Sequence, residues 1–94
     1  MKHYIIAKFK ENISWKNLIP EITELFDQAR AIDGVSGVIL HPSCSERANR
    51  FHIMIELQIT PEGLENFDKS SVHSEWKEKF GKFVENKAIF DFED

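Results

Sequence analysis

Residues Lys2 to Phe9 carry apolar side chains on both faces of a strand, and few folds accept that. His3, Ile5, Ala7 and Phe9 project one way, and Tyr4, Ile6 and Lys8 the other, because strand side chains alternate with period two. The same conflict closes the chain, where Ala88, Phe90 and Phe92 alternate with Ile89. An antiparallel sheet with one solvated face shows clean apolar–polar alternation instead. Helices of this chain can cover one side only. The other side then needs a cover from outside, and a second copy of the same chain is the simplest one.

At 94 residues the chain is read as a single domain, 1–94. A domain of this size buries only about two thirds of its unfolded surface, so oligomerisation would add stability where it is scarce. Apolar and charged fractions of 41% and 30% place it with folded globular proteins rather than disordered ones. The net charge of −4, with scattered basic residues, argues against nucleic acid as a partner. Cys44 is the single cysteine, so no disulfide forms within the chain, and a reduced loop thiol is expected. No apolar run approaches the ~20 residues of a membrane span. The amino terminus runs straight into a strand without a charged-then-apolar leader, and a cytoplasmic location is the expectation.

Periodicity then orders the elements. Leu18, Ile22, Leu25, Ala29 and Ile32 form one helical stripe, with Pro20 in its first turn and Asp33-Gly34 at its end. A second strand is expected over 35–41. A polar loop follows over 42–50, then a third strand in which Phe51, Ile53, Ile55, Leu57 and Ile59 alternate with His52, Met54, Glu56 and Gln58. Thr60-Pro61 opens a short helix with Leu64 and Phe67 inward. A further helix is expected over 72–84 and a last strand over 86–92. This order predicts an α+β, ferredoxin-like fold: a four-stranded antiparallel sheet, helices on one face, and two such sheets closing a dimeric α+β barrel.

Among the histidines, His73 has the strongest positional argument. It shares a helical stripe with Trp76, Phe80 and Val84, which predicts a buried imidazole that needs a partner or a ligand. It serves either as a core histidine or as a general base at a pocket wall. His3 and His52 lie on strands, and spacing alone does not bring them to His73. No histidine pair has zinc-ligand spacing, so no metal is expected, and no cofactor. Glu56 sits in a central strand, where burial would raise its pKa unless it is paired or at a dimer rim. Eleven aromatic side chains either fill the space between sheet and helices or leave a cavity suited to flat apolar ligands.

Several short segments resemble stress-responsive A/B barrel (Dabb) domains. Lys2-His3 through Lys8-Phe9-Lys10 is similar to the K-H-x-x-x-x-K-F-K opening of that family, and Ile32-Asp33-Gly34-Val35 to its I-P-G-V turn. Phe51-His52 resembles its T-H, Ser70-Ser71-Val72-His73 its H-P-x-H, and Ile89-Phe90-Asp91-Phe92 its V-F-D-F. The resemblance spans essentially the whole chain and implies a homodimeric barrel. Many members have no assigned activity. A plant branch cyclises linear β-ketoacyl chains without a cofactor, and residues matching His3, His52 and His73 line its pocket, the last as acid/base beside a tyrosine. In this chain Phe67 stands at the tyrosine position and Ser70 at the first histidine of H-P-x-H.

The first expectation is therefore a homodimer joined through its open sheet face, binding a small, partly apolar ligand between sheet and helices. Its lining would be His3, His52, Ile5, Phe67, Trp76 and Phe80. The second is a cyclase- or lyase-like enzyme with His73 as the catalytic base. The third, by fold analogy alone, is a barrel monooxygenase.

Overall fold

A computed structural model describes all residues, 1–94. The first strand, β1 (Lys2–Phe9), and the third, β3 (Ile53–Ile59), occupy the centre of a four-stranded sheet. The edges are β2 (Val35–Pro42) beside β3 and β4 (Val84–Phe92) beside β1, and all neighbours are antiparallel. This is the expected ferredoxin-like sheet. Its two faces differ sharply. His3, Ile5, Ala7 and Phe9 of β1 and Ile53, Ile55, Leu57 and Ile59 of β3 are all buried under the helices. Lys2, Tyr4, Ile6, Lys8, Met54 and Gln58 turn the other way and are half-exposed.

The helix α1 (Ile19–Asp27) forms because Ile22, Leu25 and Phe26 recur at three- and four-residue spacing and land on the sheet, and Ala29 continues the buried stripe just beyond it. Pro20 sits in its first turn, where a missing N–H is harmless. Tighter 3-10 turns, Trp15–Leu18 and Gln28–Ala31, flank it. Arg30 ties the second of these to the sheet edge by donating from Nη2 to the Val38 carbonyl at 2.7 Å. The stripe predicted from sequence omits Phe26, which is almost wholly buried, and includes Leu18 and Ile32, which are only partly so.

Thr60 caps α2 (Pro61–Asp68), its Oγ1 accepting the Gly63 N–H at 3.0 Å. The single long helix expected over 72–84 does not form. Instead α3 (Ser71–Glu75) passes into a π turn, Trp76–Phe80, then a 3-10 turn, Gly81–Phe83, and β4 begins at Val84 rather than Asn86. The reason lies in Val72, Trp76 and Phe80, which are all buried at four-residue spacing. An α-helix turns a four-residue step slightly past a full revolution. The wider π turn falls slightly short and returns Phe80 to the core. Phe26 and Trp76 meet edge-on at 5.5 Å, and Trp76 and Phe80 lie 5.9 Å apart.

Two glycines let the helix layer close on the sheet. Gly34 has φ +94°, a left-handed turn that only glycine adopts readily. A Cβ on Gly63 would stand 2.7 Å from the Gly34 backbone. Alanine normally favours a helix over glycine by about 1 kcal/mol. Here Gly63→Ala is expected to reverse that sign and destabilise by about 1–3 kcal/mol, because backbone cannot rotate away. Urea unfolding of the two chains measures the difference.

Candidate functional site

Two histidines converge beside Phe67. His3 lies on the helix-facing side of β1, and the β1–β4 register places Asp91 directly opposite it. The buried His3 ring bonds through Nδ1 to the Asp91 carboxylate. A carboxylate only accepts, so Nδ1 carries the proton and the tautomer is fixed. His73 is held in an analogous way. Ser70 caps α3 with its Oγ on the His73 N–H at 3.2 Å, and the His73 Nδ1 donates to the Asp68 carbonyl at 3.2 Å. In their neutral forms both rings therefore keep Nε2 as the free lone-pair nitrogen. Phe67 lies between them, its ring centre 6.2 Å from His3 and 5.2 Å from His73.

A cleft of about 300 Å3 opens at this pair. His3, Ile5, His73 and Trp76 line it, as do Leu64 and Ile89, together with three charged groups, Asp68, Lys87 and Asp91. The sequence expectation is corrected in three respects. His73 is half-exposed rather than buried, because Val72 rather than His73 continues the Trp76–Phe80 stripe. Phe80 packs under Trp76 in the core and does not reach the cleft. Phe67 is wholly buried beneath the cleft, in contact with both imidazoles rather than with its opening.

His52 belongs elsewhere. It precedes β3 instead of lying within it, and it sits at the opposite end of β1. There the ring takes the place of a strand partner, with Nδ1 accepting the Phe9 N–H at 2.9 Å. It stacks against Phe9 and, at 4.9 Å, against Trp15. It borders an open, charged hollow of about 700 Å3 with Lys8, Lys10, Lys16, Glu11 and Glu85. Burial, reinforced by the Lys8 ammonium, lowers the His52 pKa from its ordinary 6.5.

Glu56 faces the uncovered side of the sheet and is paired. His41 Nε2 and Gln58 Nε2 each donate to its carboxylate at 3.1 Å. Its pKa falls below 4.5, chiefly through the Gln58 bond, with His41 assisting and burial opposing. Pairing thus outweighs the desolvation that would have raised it. Nowhere do three or more His, Cys, Asp or Glu side chains converge as metal ligands would, and Cys44 is an exposed free thiol. No helix is long and apolar enough to cross a membrane.

Asp91, Lys87 and Ile89 escape spacing arguments, because they join the cleft only once strand register is known. The signal for Asp91 was present in the chain ends. Matching Tyr4-Ile5 against Ile89-Phe90 sets the β1–β4 register and brings Asp91 opposite His3.

No protein-family model matches the sequence, and no curated protein matches it. Solved structures do. A dimeric ferredoxin-like protein of unknown function from Thermobifida fusca is similar over 97% of this chain and 87% of its own, with a TM-score of 0.81 at 8% identity. The chain has the ferredoxin-like fold. A Dabb family protein with that fold from Mesorhizobium loti is similar over 99% of this chain and 94% of its own (TM-score 0.74, 13% identity). A hydroxynitrile lyase from Passiflora edulis is similar over 97% and 89% (TM-score 0.75, 18% identity). At such identities the likeness establishes fold and leaves function to the site.

The neutral His52 bond makes a pH prediction. The unfolded chain binds a proton at this residue near 6.5, and the folded chain only at lower pH. The contribution of His52 to stability is therefore fully present above 6.5 and is lost as pH falls from there through the folded value. His52→Asn, whose Oδ1 can accept from Phe9 without titrating, is expected to flatten that segment of the stability–pH curve. Chemical denaturation between pH 7.5 and 5 tests it.

Proposed function

We propose that this chain is a Dabb-type barrel protein that pairs with a second copy and holds a small, partly apolar ligand in the His3–His73 cleft. The carrying observation is the pair of imidazoles, each tethered through Nδ1, on either side of Phe67 under apolar walls. Fixed polar atoms set beside the apolar side chains of Ile5, Leu64, Trp76 and Ile89 give a concavity that can orient a small molecule with both apolar and polar parts. Ile5, Leu64, Trp76 and Ile89 would contact the apolar part of the ligand, and the two Nε2 atoms and Lys87 its polar part.

The homodimer reading rests on the uncovered sheet face. Ile39 of β2 and Phe90 and Phe92 of β4 are 44%, 58% and 38% exposed there. Tyr4 stacks on Phe92 at 5.8 Å and extends the apolar strip inward. Isolated exposed apolar residues are ordinary, but Tyr4, Phe90 and Phe92 adjoin one another on a single sheet face, as at an interaction surface. The similar Thermobifida fusca protein is described as dimeric. A face-to-face pair of such sheets would place Glu56 and His41 inside the barrel, already bonded to each other.

A second reading, general acid/base catalysis by His73, is favoured by the same tether. A ring held at Nδ1 with Nε2 free can take a proton from a bound carbonyl compound and return it, as cyclases and lyases require. Phe67 offers no hydroxyl to help. Under this reading His73→Ala abolishes turnover of a carbonyl substrate while the dimer stays folded. Under the binding reading the variant weakens ligand retention without any turnover to lose.

Ultracentrifugation at micromolar concentration is expected to give twice the 11.0 kDa chain mass. Phe90→Ser is expected to weaken the dimer by about 2 kcal/mol, roughly thirtyfold in dissociation constant. NMR screening with small aromatic and aliphatic carbonyl compounds tests the cleft. Shifts at Ile5, Ile89 and His73, with His52 silent as an internal control, support the site. Shifts confined to the His52 end count against it.

A further inference from the structure

The cleft and the open face share one strand. On β4, Lys87, Ile89 and Asp91 point toward the helices and form one wall of the cleft. Ala88, Phe90 and Phe92, alternating with them, point to the uncovered side of the sheet. The helices reach β2, β3 and β1 but leave β4 bare, so every residue from Glu85 to Phe92 is exposed. β4 is an edge strand with one neighbour. Beyond its backbone bonds to β1, it is held on the cleft side by the single His3–Asp91 bond, on the open side by the Tyr4–Phe92 stack, and at its ends by the Lys8–Glu85 and Lys2–Asp94 ion pairs, at 3.8 Å each. Such exposed ion pairs hold little. Strands with few buried contacts open at low free energy.

We propose that a second copy resting on the Phe90–Phe92 side of β4 orders the ligand cleft on the opposite side of the same strand. The single subunit forms the His3–Asp91 bond, and the dimer keeps it closed by suppressing the opening of β4. This rests on the homodimer reading above. Pinning Phe90 and Phe92 removes the freedom of Ile89 and Asp91, because neighbouring side chains share one backbone. The cleft is ordered from behind, without the partner touching it. Linkage makes the effect reciprocal: a ligand that orders β4 from the cleft side tightens the dimer by the same factor.

Hydrogen exchange of the β4 amides and the His3 Nδ1–H proton signal, both followed across dilution through the dimer–monomer transition, test the proposal. Protection of β4 is expected to fall roughly tenfold or more on dissociation, and the Nδ1–H signal to broaden away, while the β3 amides stay protected. Ile39→Asp provides an independent route to the monomer. It lies on β2, at the far edge of the sheet, and touches neither β4 nor the cleft. It is expected to loosen β4 as dilution does. If dimers dissociate by either route with β4 protection and the His3 signal unchanged, the coupling is wrong and the homodimer reading survives. If the chain is a monomer at all concentrations, both fall.

Discussion

A strand with two neighbours and two unlike faces organises this protein. β1 pairs with β3 on one side and β4 on the other, and its alternation sorts everything else. His3, Ile5, Ala7 and Phe9 go into the helix-covered core, while Tyr4 and Ile6 go to a face no helix reaches. Both ends of the same strand carry a histidine bond. His3 reaches sideways to Asp91 at the start, and His52 closes the last N–H at the finish. One histidine thereby lines the cleft beside Phe67, and the other completes the sheet.

That division explains why equal-looking residues have unequal roles. His52 accepts from a backbone N–H that would otherwise lack a strand partner, so its lone pair is already committed. His73 and His3 donate from Nδ1 to a carbonyl and a carboxylate, and their lone pairs remain free. The distinction is between two nitrogens of one ring, and it separates a structural imidazole from a chemically available one.

The sequence was most informative wherever a single periodicity decided the outcome. The alternation in β3 and the Thr60-Pro61 helix start could be read directly, because burial and capping act on near neighbours. Two features lay beyond such reading. The change from α to π winding after Glu75 depends on Trp76 and Phe80 both seeking the core, and a stripe drawn at purely helical spacing assigns His73 instead of Val72 to it. The His3–Asp91 pair joins the two ends of the chain, and only strand register brings them together. Glu56 shows a related limit, since its hydrogen bonds, to Gln58 on the same strand and to His41 across the sheet, outweigh its burial in setting the direction of its pKa.

β4 also carries a hazard. An edge strand bearing Ile89, Phe90 and Phe92 presents unpaired backbone and apolar side chains together, the combination that seeds strand-on-strand aggregation. Glu85, Lys87 and Asp91 interrupt that run with alternating charge, a natural brake on indiscriminate pairing. The charges that line this edge thus guard a strand whose backbone is left open by the fold itself.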